Sequence, residues 1–181
     1  LISLLEIDDQ DSKIDQVKKD LTALEQISKK PLAQALSVET DQKLYRILVS
    51  WDSPRLQKPA YKDFYLQGTE IFLTLFPTSK DRLKVADGRF AVMDSSKDKI
   101  QWLSKWKTIS AERKDAEFEK LMRQRLFAIG VKEKKSDLIL QESAFLASTE
   151  TAPTNKREYL YQEGRAWMAE KDLVRAKRRF V

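Results

Sequence analysis

The scarcity of glycine and proline is the feature that most restricts the fold of this chain. Only 4 Gly and 5 Pro occur among 181 residues, too few for the many tight turns of a β-sandwich or a β-barrel. Long stretches are rich in Ala, Leu, Glu, Lys, Gln and Arg, which favour the helical state. The best strand candidate, Leu138-Ile139-Leu140, lies in a helical context. We therefore expect an all-α protein.

The spacing of apolar residues predicts roughly nine or ten helices joined by short loops. The clearest spacing is in the first of them, where Ile14, Val17, Leu21 and Leu24 share one face. We expect helices at about 13–30, 32–36, 39–51, 59–76, 79–94, 96–109, 111–130, 136–147, 156–170 and from 172 onward.

Several residues predict where these helices begin, end or pack. Asp11 or Ser12 is expected to cap the first helix, and Thr78 or Ser79 the one that follows Pro77. Gly130 is expected to end the helix before the charged turn 132–135. Gly68 lies on the apolar stripe of its own helix. Because a glycine inside a helix costs about 1 kcal/mol relative to Ala, its presence there predicts that another helix approaches closely.

The segment from 160 to 180 has a spacing typical of two paired helices. In the first helix, the large apolar Leu160 is followed four positions later by the small Gly164 and then by the aromatic Trp167. In the next helix, the small Ala176 and the aromatic Phe180 follow. This pattern resembles the tetratricopeptide repeat, a family of paired antiparallel helices with a period of about 34 residues. Leu160 replaces the family's usual Trp, and Glu163 stands where Leu is usual.

A second segment, 65–93, carries a weaker resemblance. The run Ile71-Phe-Leu-Thr-Leu-Phe-Pro-Thr-Ser79, followed by Ala86 and Phe90, is similar to the junction between consecutive repeats in helical lipoproteins of the bacterial outer-membrane β-barrel assembly machinery. It is also similar to the helical arms of some lytic transglycosylases. The resemblance implies antiparallel helical hairpins stacked as a short TPR-like solenoid. The alternative is a non-repeating helical bundle.

The same resemblance shapes the predicted domain organisation. We expect a single all-helical domain, 1–181, with a possible division into N-terminal helices at 1–57 and TPR-like hairpins at 58–181. The domain is expected to be part of a longer chain. No apolar run approaches 18 residues, so no membrane-spanning helix is predicted in this sequence.

Residue types exclude several kinds of chemistry. The chain has no His and no Cys, which removes Ser-His-Asp and Cys-His arrangements, disulfides and His-based zinc sites. Its four Gly, at 68, 88, 130 and 164, cannot form a phosphate-binding loop. The acids at 8, 9 and 11 lack the central Gly and distal Glu of a calcium loop, and those at 115, 117 and 119 alternate and cannot share one helix face closely. We predict no catalytic residue, metal or cofactor; an enzyme that uses carboxylates alone is the least favoured interpretation.

Basic residues are concentrated in two segments. Residues 97–135 contain 12 Lys+Arg against 6 Asp+Glu, a net of +6, and residues 165–181 contain 6 against 2, a net of +4. A solvated helical surface explains this charge as well as a binding site does. If it is a binding site, the residues we single out for partner contact are Arg165, Arg175, Arg178 and Arg179.

The function that these patterns favour is a non-catalytic scaffold for protein–protein interaction, with an acidic protein as its partner. The resemblance adds a bacterial envelope or membrane-associated assembly, in the periplasm or at a membrane, as the setting. One alternative is a nucleic-acid-binding helical protein that uses its basic helices. Another is the helical arm of a larger cell-wall enzyme.

Overall fold

The computed structural model of the protein describes residues 2–10, 13–29, 38–51 and 53–180. These residues form helices and connecting turns, and no strand occurs among them, so the all-α prediction is confirmed. The helices are α1 (Ile2–Gln10), α2 (Ile14–Ser28), α3 (Val38–Ser50), α4 (Ser53–Leu56), α5 (Pro59–Leu75), α6 (Arg82–Val92), α7 (Ser96–Glu112), α8 (Ala116–Glu133), α9 (Ser136–Thr149), α10 (Pro153–Ala169) and α11 (Leu173–Phe180). In this described part of the chain, no helix is both long and apolar enough to cross a membrane.

Contacts between helices divide the chain into two compact units. Unit 1 is Leu1–Asp94 and unit 2 is Ser95–Val181. The boundary therefore follows α6, whereas the division suggested at 57/58 lies inside unit 1, between α4 and α5. The helical piece predicted at 32–36 and the cap predicted at Asp11 or Ser12 lie outside the described residues.

Unit 1 is arranged around α5, against which α2, α3, α4 and α6 pack. Gly68 explains how closely α3 approaches, because a Cβ atom at this position would lie 2.8 Å from Leu48 Cδ2 and 3.3 Å from the Trp51 ring. The close helix approach predicted at Gly68 is confirmed. Nearly one turn before Gly68 on α5, the Tyr65 hydroxyl contacts Gly88 of α6. Burial raises the pKa of Tyr65, and the nearby Tyr45 adds to the effect.

A buried carboxylate attaches α1 to the rest of unit 1. Asp9 accepts a hydrogen bond of 2.9 Å from the Trp51 indole N–H and one of 3.0 Å from the Arg55 guanidinium. Because a buried charge is stable only when it is paired or hydrogen-bonded, these contacts explain why an acidic residue is tolerated on the inner face of α1.

Unit 2 has a simpler arrangement, in which each helix from α7 to α11 packs against the next one along the chain. The links between them are short, and short links between packed helices make neighbours antiparallel. Phe127, Ile139, Leu146 and Ala166, from three successive helices, form one buried cluster.

Three turns of unit 2 close with the same backbone geometry. Lys114, Lys134 and Lys171 have φ values of 57°, 56° and 62°, the left-handed conformation that often ends a helix. After each lysine, the next amide donates a 2.9 Å bond to a carbonyl five residues earlier: Asp115 to Ser110, Lys135 to Gly130, and Asp172 to Trp167. This 6→1 bond is that of a Schellman motif.

Two successive hairpins, α8–α9 and α10–α11, have matching register. The same number of residues separates the starts of their first helices (116 and 153), their left-handed lysines (134 and 171) and the starts of their second helices (136 and 173). Buried positions repeat at this interval too, as in the pairs 126/163, 127/164, 129/166 and 139/176. The two hairpins thus share their register, and part of their buried pattern repeats.

The structure corrects the predicted end of α8. Gly130 does not end the helix, which continues to Glu133 and is capped by Lys134. A Cβ atom at Gly130 would lie 3.0 Å from Leu138 Cβ and 3.2 Å from the Ile139 backbone nitrogen. Gly130 is therefore a contact point for α9 and not a helix stop.

Two predicted helix starts are also wrong. α6 begins at Arg82 after Asp81, and the Ser79 hydroxyl instead accepts the Asp81 amide at 3.1 Å in the preceding turn and donates to the Asp41 carboxylate at 3.0 Å. α8 begins at Ala116, not near 111, because Asp115 is its cap and accepts the amide of Phe118 at 3.2 Å. The preceding residues continue α7 instead.

Candidate partner-binding surface

The hairpin α10–α11 contains all four of the basic residues singled out from the sequence. Pro153 starts α10, where its missing N–H is not needed. Lys171 makes the turn, and the Asp172 carboxylate accepts the Arg175 amide at 2.9 Å as a cap for α11. Local sequence therefore fixes where the two helices start.

Close packing at a glycine joins the two helices. A Cβ atom at Gly164 would lie 2.6–3.0 Å from three atoms of the Phe180 ring, and Ala176 is buried beside this contact. Gly164, Ala176 and Phe180 belong to the spacing identified in the sequence, and the structure brings them together between α10 and α11.

Two of the four arginines are used inside the hairpin. The Arg179 guanidinium lies 3.0 Å from the carboxylate of Glu163, which is buried. The Arg175 guanidinium stacks 4.6 Å from the centre of the Trp167 ring and lies 3.3 Å from Asp172. Both side chains hold α11 against α10.

The other two arginines face away from that contact. Arg165 is exposed, with its guanidinium 5.9 Å from the centre of the Tyr161 ring. Arg178 is exposed and, with Leu173, Val174 and Lys177, lines an open depression of about 650 Å³ beside α11. The structure thus separates the four predicted residues into an inner pair and an outer pair.

An uncovered apolar surface surrounds the outer pair. Among the described residues of unit 2, the exposed large apolar side chains all belong to α10 and α11: Tyr161 (48%), Met168 (52%), Leu173 (68%), Val174 (68%) and Phe180 (47%). Elsewhere in this unit, the described aromatic and aliphatic residues are largely covered. Contiguous exposed apolar surface in a folded protein marks an interaction site.

Most of these side chains form two parallel stripes. Residues seven apart lie on the same helix face, and both stripes have a cation between their apolar ends: Tyr161–Arg165–Met168 on α10 and Leu173–Lys177–Phe180 on α11. The stripes meet where the Tyr161 and Phe180 rings touch edge to face, with centroids 5.9 Å apart. We call these six residues the terminal face.

Charge is distributed unevenly between the two units. Residues 95–181 hold 20 Lys+Arg against 13 Asp+Glu, a net of +7, whereas residues 1–94 hold 14 against 15, a net of −1. Unit 2 therefore accounts for the basic character of the chain, and the terminal face lies within it.

A second cluster of charged residues lies inside unit 2. Glu142 is fully buried, 2.5 Å from Lys107 Nζ and 2.7 Å from Arg123 Nη1. Arg123 also lies 2.7 Å from Glu119 and stacks 4.1 Å from the centre of the Phe145 ring. The cluster links α7, α8 and α9. Because both oxygens of Glu142 are paired with cations, its role is in packing.

Three of the other acids considered from the sequence are also engaged, and Asp11 lies outside the described residues. Asp8 lies 3.6 Å from Lys13, Asp9 is held by Trp51 and Arg55, and Asp115 caps α8. Within the ranges that the structure describes, no three His, Cys, Asp or Glu side chains are grouped so that they could hold a metal ion.

Sequence reasoning missed the apolar part of the terminal face and its Lys177. The signal was present, because Leu173 and Phe180 have helical spacing and Lys177 lies between them.

Comparisons of the chain with models of protein families, with curated proteins and with solved structures found no match.

Proposed function

We propose that the protein is a non-catalytic interaction module built from TPR-like helical hairpins, and that unit 2 holds its partner at the terminal face. The observation that carries this proposal is the concentration of exposed apolar side chains on α10 and α11, with a cation in the middle of each stripe. Such a surface combines the apolar contact and the charge that protein interfaces use.

The geometry of the last hairpin supports the TPR-like part of the proposal. Gly164 lies under the Phe180 ring and Ala176 is buried between the helices, as the small and aromatic positions of the family would be. The matching register of α8–α9 and α10–α11 is what a helical repeat produces. Glu163, unusual for the family, is accommodated here by Arg179.

The charge of unit 2 supports an acidic partner. A net of +7 on residues 95–181 attracts an anionic protein and repels a cationic one. The resemblance to helical lipoproteins of the bacterial envelope extends the proposal to an assembly at or near a bacterial membrane. In that setting the chain serves as a scaffold or as the helical arm of a larger enzyme.

A capture experiment tests this function. The purified chain is immobilised and exposed to a lysate of its source at low and at high salt, and bound proteins are identified by mass spectrometry. The proposal expects one or two defined proteins that are retained at high salt, because apolar contacts resist screening, and that are lost with a Tyr161→Glu/Met168→Glu variant. A Val49→Glu variant is the matched control, since Val49 is an exposed apolar residue of unit 1.

The basic charge of unit 2 favours a second candidate, binding to nucleic acid. This candidate predicts a different salt dependence: binding to a polyanion releases its condensed counterions, and because added salt makes this release less favourable, the affinity falls steeply as salt rises. If the chain retained nucleic acid in place of proteins, and lost it steeply between low and high salt, this second function would replace the first.

A further inference from the structure

The matching hairpins of unit 2 show how a helix is received on the surface of a preceding hairpin. α10 packs on α8 and α9: the Tyr159 ring lies 5.1 Å from the Phe127 ring of α8, and the Gln124 amide donates to the Tyr159 hydroxyl at 3.4 Å. Further along α10, Ala166 belongs to the buried cluster that Val131 of α8 and Leu140 of α9 also contact.

The same positions of the next hairpin can be read off at the constant interval. Gln124, Phe127 and Val131 of α8 correspond to Tyr161, Gly164 and Met168 of α10, and Leu140 of α9 corresponds to Lys177 of α11. Where Phe127 supplies a ring in the first hairpin, the ring of Phe180 covers Gly164 in the second.

The two sets of positions differ in how far they are covered. In the first hairpin they are covered by α10, whereas Tyr161, Met168 and Phe180 are each about half exposed. Three of the six residues of the terminal face, Tyr161, Met168 and Lys177, thus stand at positions equivalent to a helix-receiving surface.

We infer that the terminal face receives one acidic amphipathic α-helix of a partner protein, which packs on α10 and α11 as α10 packs on α8 and α9. The inference rests on the proposed function and specifies the partner's structure and charge. A helix is favoured over an extended peptide because the equivalent surface is already shaped for a helix.

Charge complementarity sets the chemistry of this partner helix. Arg165 and Lys177 stand in the middle of the two stripes, and Arg178 lies beside Lys177 in the open depression. Glu158 lies at the start of the α10 stripe, where the Gln162 amide donates to it at 2.8 Å. The partner helix therefore carries apolar residues on one face and Asp or Glu along both borders of that face. Within the apolar face it has an aromatic residue followed seven positions later by a small one, as α10 has Tyr159 and Ala166.

The test uses designed peptides as probes. A panel of 17-residue peptides, the length of α10, carries this apolar face with Glu along both borders; a matched panel carries Lys in place of Glu. Binding to the full chain is measured by fluorescence anisotropy, and peptide helicity by circular dichroism. We expect Glu peptides to bind and to become helical, with affinities at least about tenfold higher than those of the Lys peptides.

Variants of the chain locate the binding. Tyr161→Glu and Met168→Glu are expected to weaken binding of the Glu peptide at least about tenfold, and Val49→Glu to leave it unchanged. A Lys177→Glu/Arg178→Glu variant is expected to reverse the preference toward the Lys peptide. All these residues are exposed or half-exposed, and retained helical circular dichroism confirms that each variant is folded.

Several results would overturn the inference. The inference fails if no Glu peptide binds, if Glu and Lys peptides bind equally, or if the Glu peptides bind without becoming helical. It also fails if a single-stranded oligonucleotide binds more tightly to the same residues and displaces the peptide. If the captured natural partner was lost with the Tyr161→Glu/Met168→Glu variant but no Glu peptide bound, the inference would fail while the proposed function stood. If the partner bound this variant as well as the unaltered chain, both the inference and the placement of the partner at the terminal face would fail. If the chain captured no protein, the function itself would fail.

Discussion

The guanidinium of Arg179 lies 3.0 Å from the carboxylate of Glu163, and this ion pair joins α11 to α10. Glu163 is almost fully buried, whereas Arg179 is partly exposed. With Arg175 stacked on Trp167, the pair holds a short basic helix in place while its opposite face stays uncovered. The position of the terminal face therefore depends on arginines that are not part of it.

The first prediction concerns this attachment. Arg179→Ala should destabilise the protein by about 1–3 kcal/mol, because the buried Glu163 carboxylate loses its charged partner. Amide hydrogen exchange in residues 173–180 should speed up before the rest of unit 2 is affected. Arg178→Ala, on the same helix but exposed, is the control. Equal exchange in the two variants would show that the ion pair does not hold α11.

The second prediction concerns the buried carboxylate that links α7, α8 and α9. Glu142→Gln should destabilise the protein by about 3–5 kcal/mol, because Lys107 and Arg123 lose the charge that compensates them in a partly buried site. Urea unfolding measures the change. Glu158→Gln, the same substitution at an exposed position, should change stability by less than about 0.5 kcal/mol. Similar values for the two variants would contradict the packing role of Glu142.

The third prediction compares two glycines in helices. Gly130→Ala should destabilise by about 1 kcal/mol or more, because the new methyl meets the Leu138 Cβ and the Ile139 backbone, which move only if α9 moves. Gly164→Ala should be nearly neutral, because the half-exposed Phe180 ring can swing outward and the gain in helix propensity of about 1 kcal/mol offsets the lost contact. The difference in urea midpoint between the two variants is the measurement, and the reverse order would disprove this role of Gly130 in packing.

The fourth prediction concerns alkaline pH. Burial raises the pKa of Tyr65 above its ordinary value of 10.0, so ionisation is less favourable in the folded chain than in the unfolded one. The contribution of neutral Tyr65 to stability is fully present below about pH 10 and is lost as pH rises through the raised pKa. The stability difference between the unaltered chain and Tyr65→Phe should therefore shrink as the pH rises above about 10 in urea unfolding.

The control for this pH dependence is the same pair of proteins between about pH 7 and pH 8, where the phenol of Tyr65 is neutral in both states and the stability difference should stay constant. A constant difference above about pH 10 as well would mean that Tyr65 titrates normally in the folded protein.

Periodicity explains why the helices could be predicted from the sequence. Apolar residues at helical spacing define one buried face whatever covers that face, so the predicted bounds of α2, α5 and α10 lie within a few residues of their observed ends. The close approach at Gly68 was predictable because a glycine on an apolar stripe leaves room for a neighbouring helix. The role of Gly130 was not, because a glycine near a charged turn is compatible with a helix stop as well as with a helix contact.

Tertiary partners could not be predicted, because they are not local in the sequence. Asp9 looks like one of several solvated acids until Trp51 and Arg55 are brought to it. Arg175 and Arg179 look like the exposed charges beside them, and only the fold turns them toward α10. The place of Lys177 in the terminal face was hidden for the same reason, since its neighbours there come partly from another helix.

The arrangement of unit 2, in which each helix packs on the next, also bears on how fast it forms. Its contacts join residues that are close in sequence, so little chain entropy is lost before each contact is gained, and low contact order favours rapid folding. Unit 1 gathers α2, α3 and α6 around α5, which requires longer loops to close. A stopped-flow experiment should therefore resolve a fast phase from residues 95–181 and a slower one from residues 1–94.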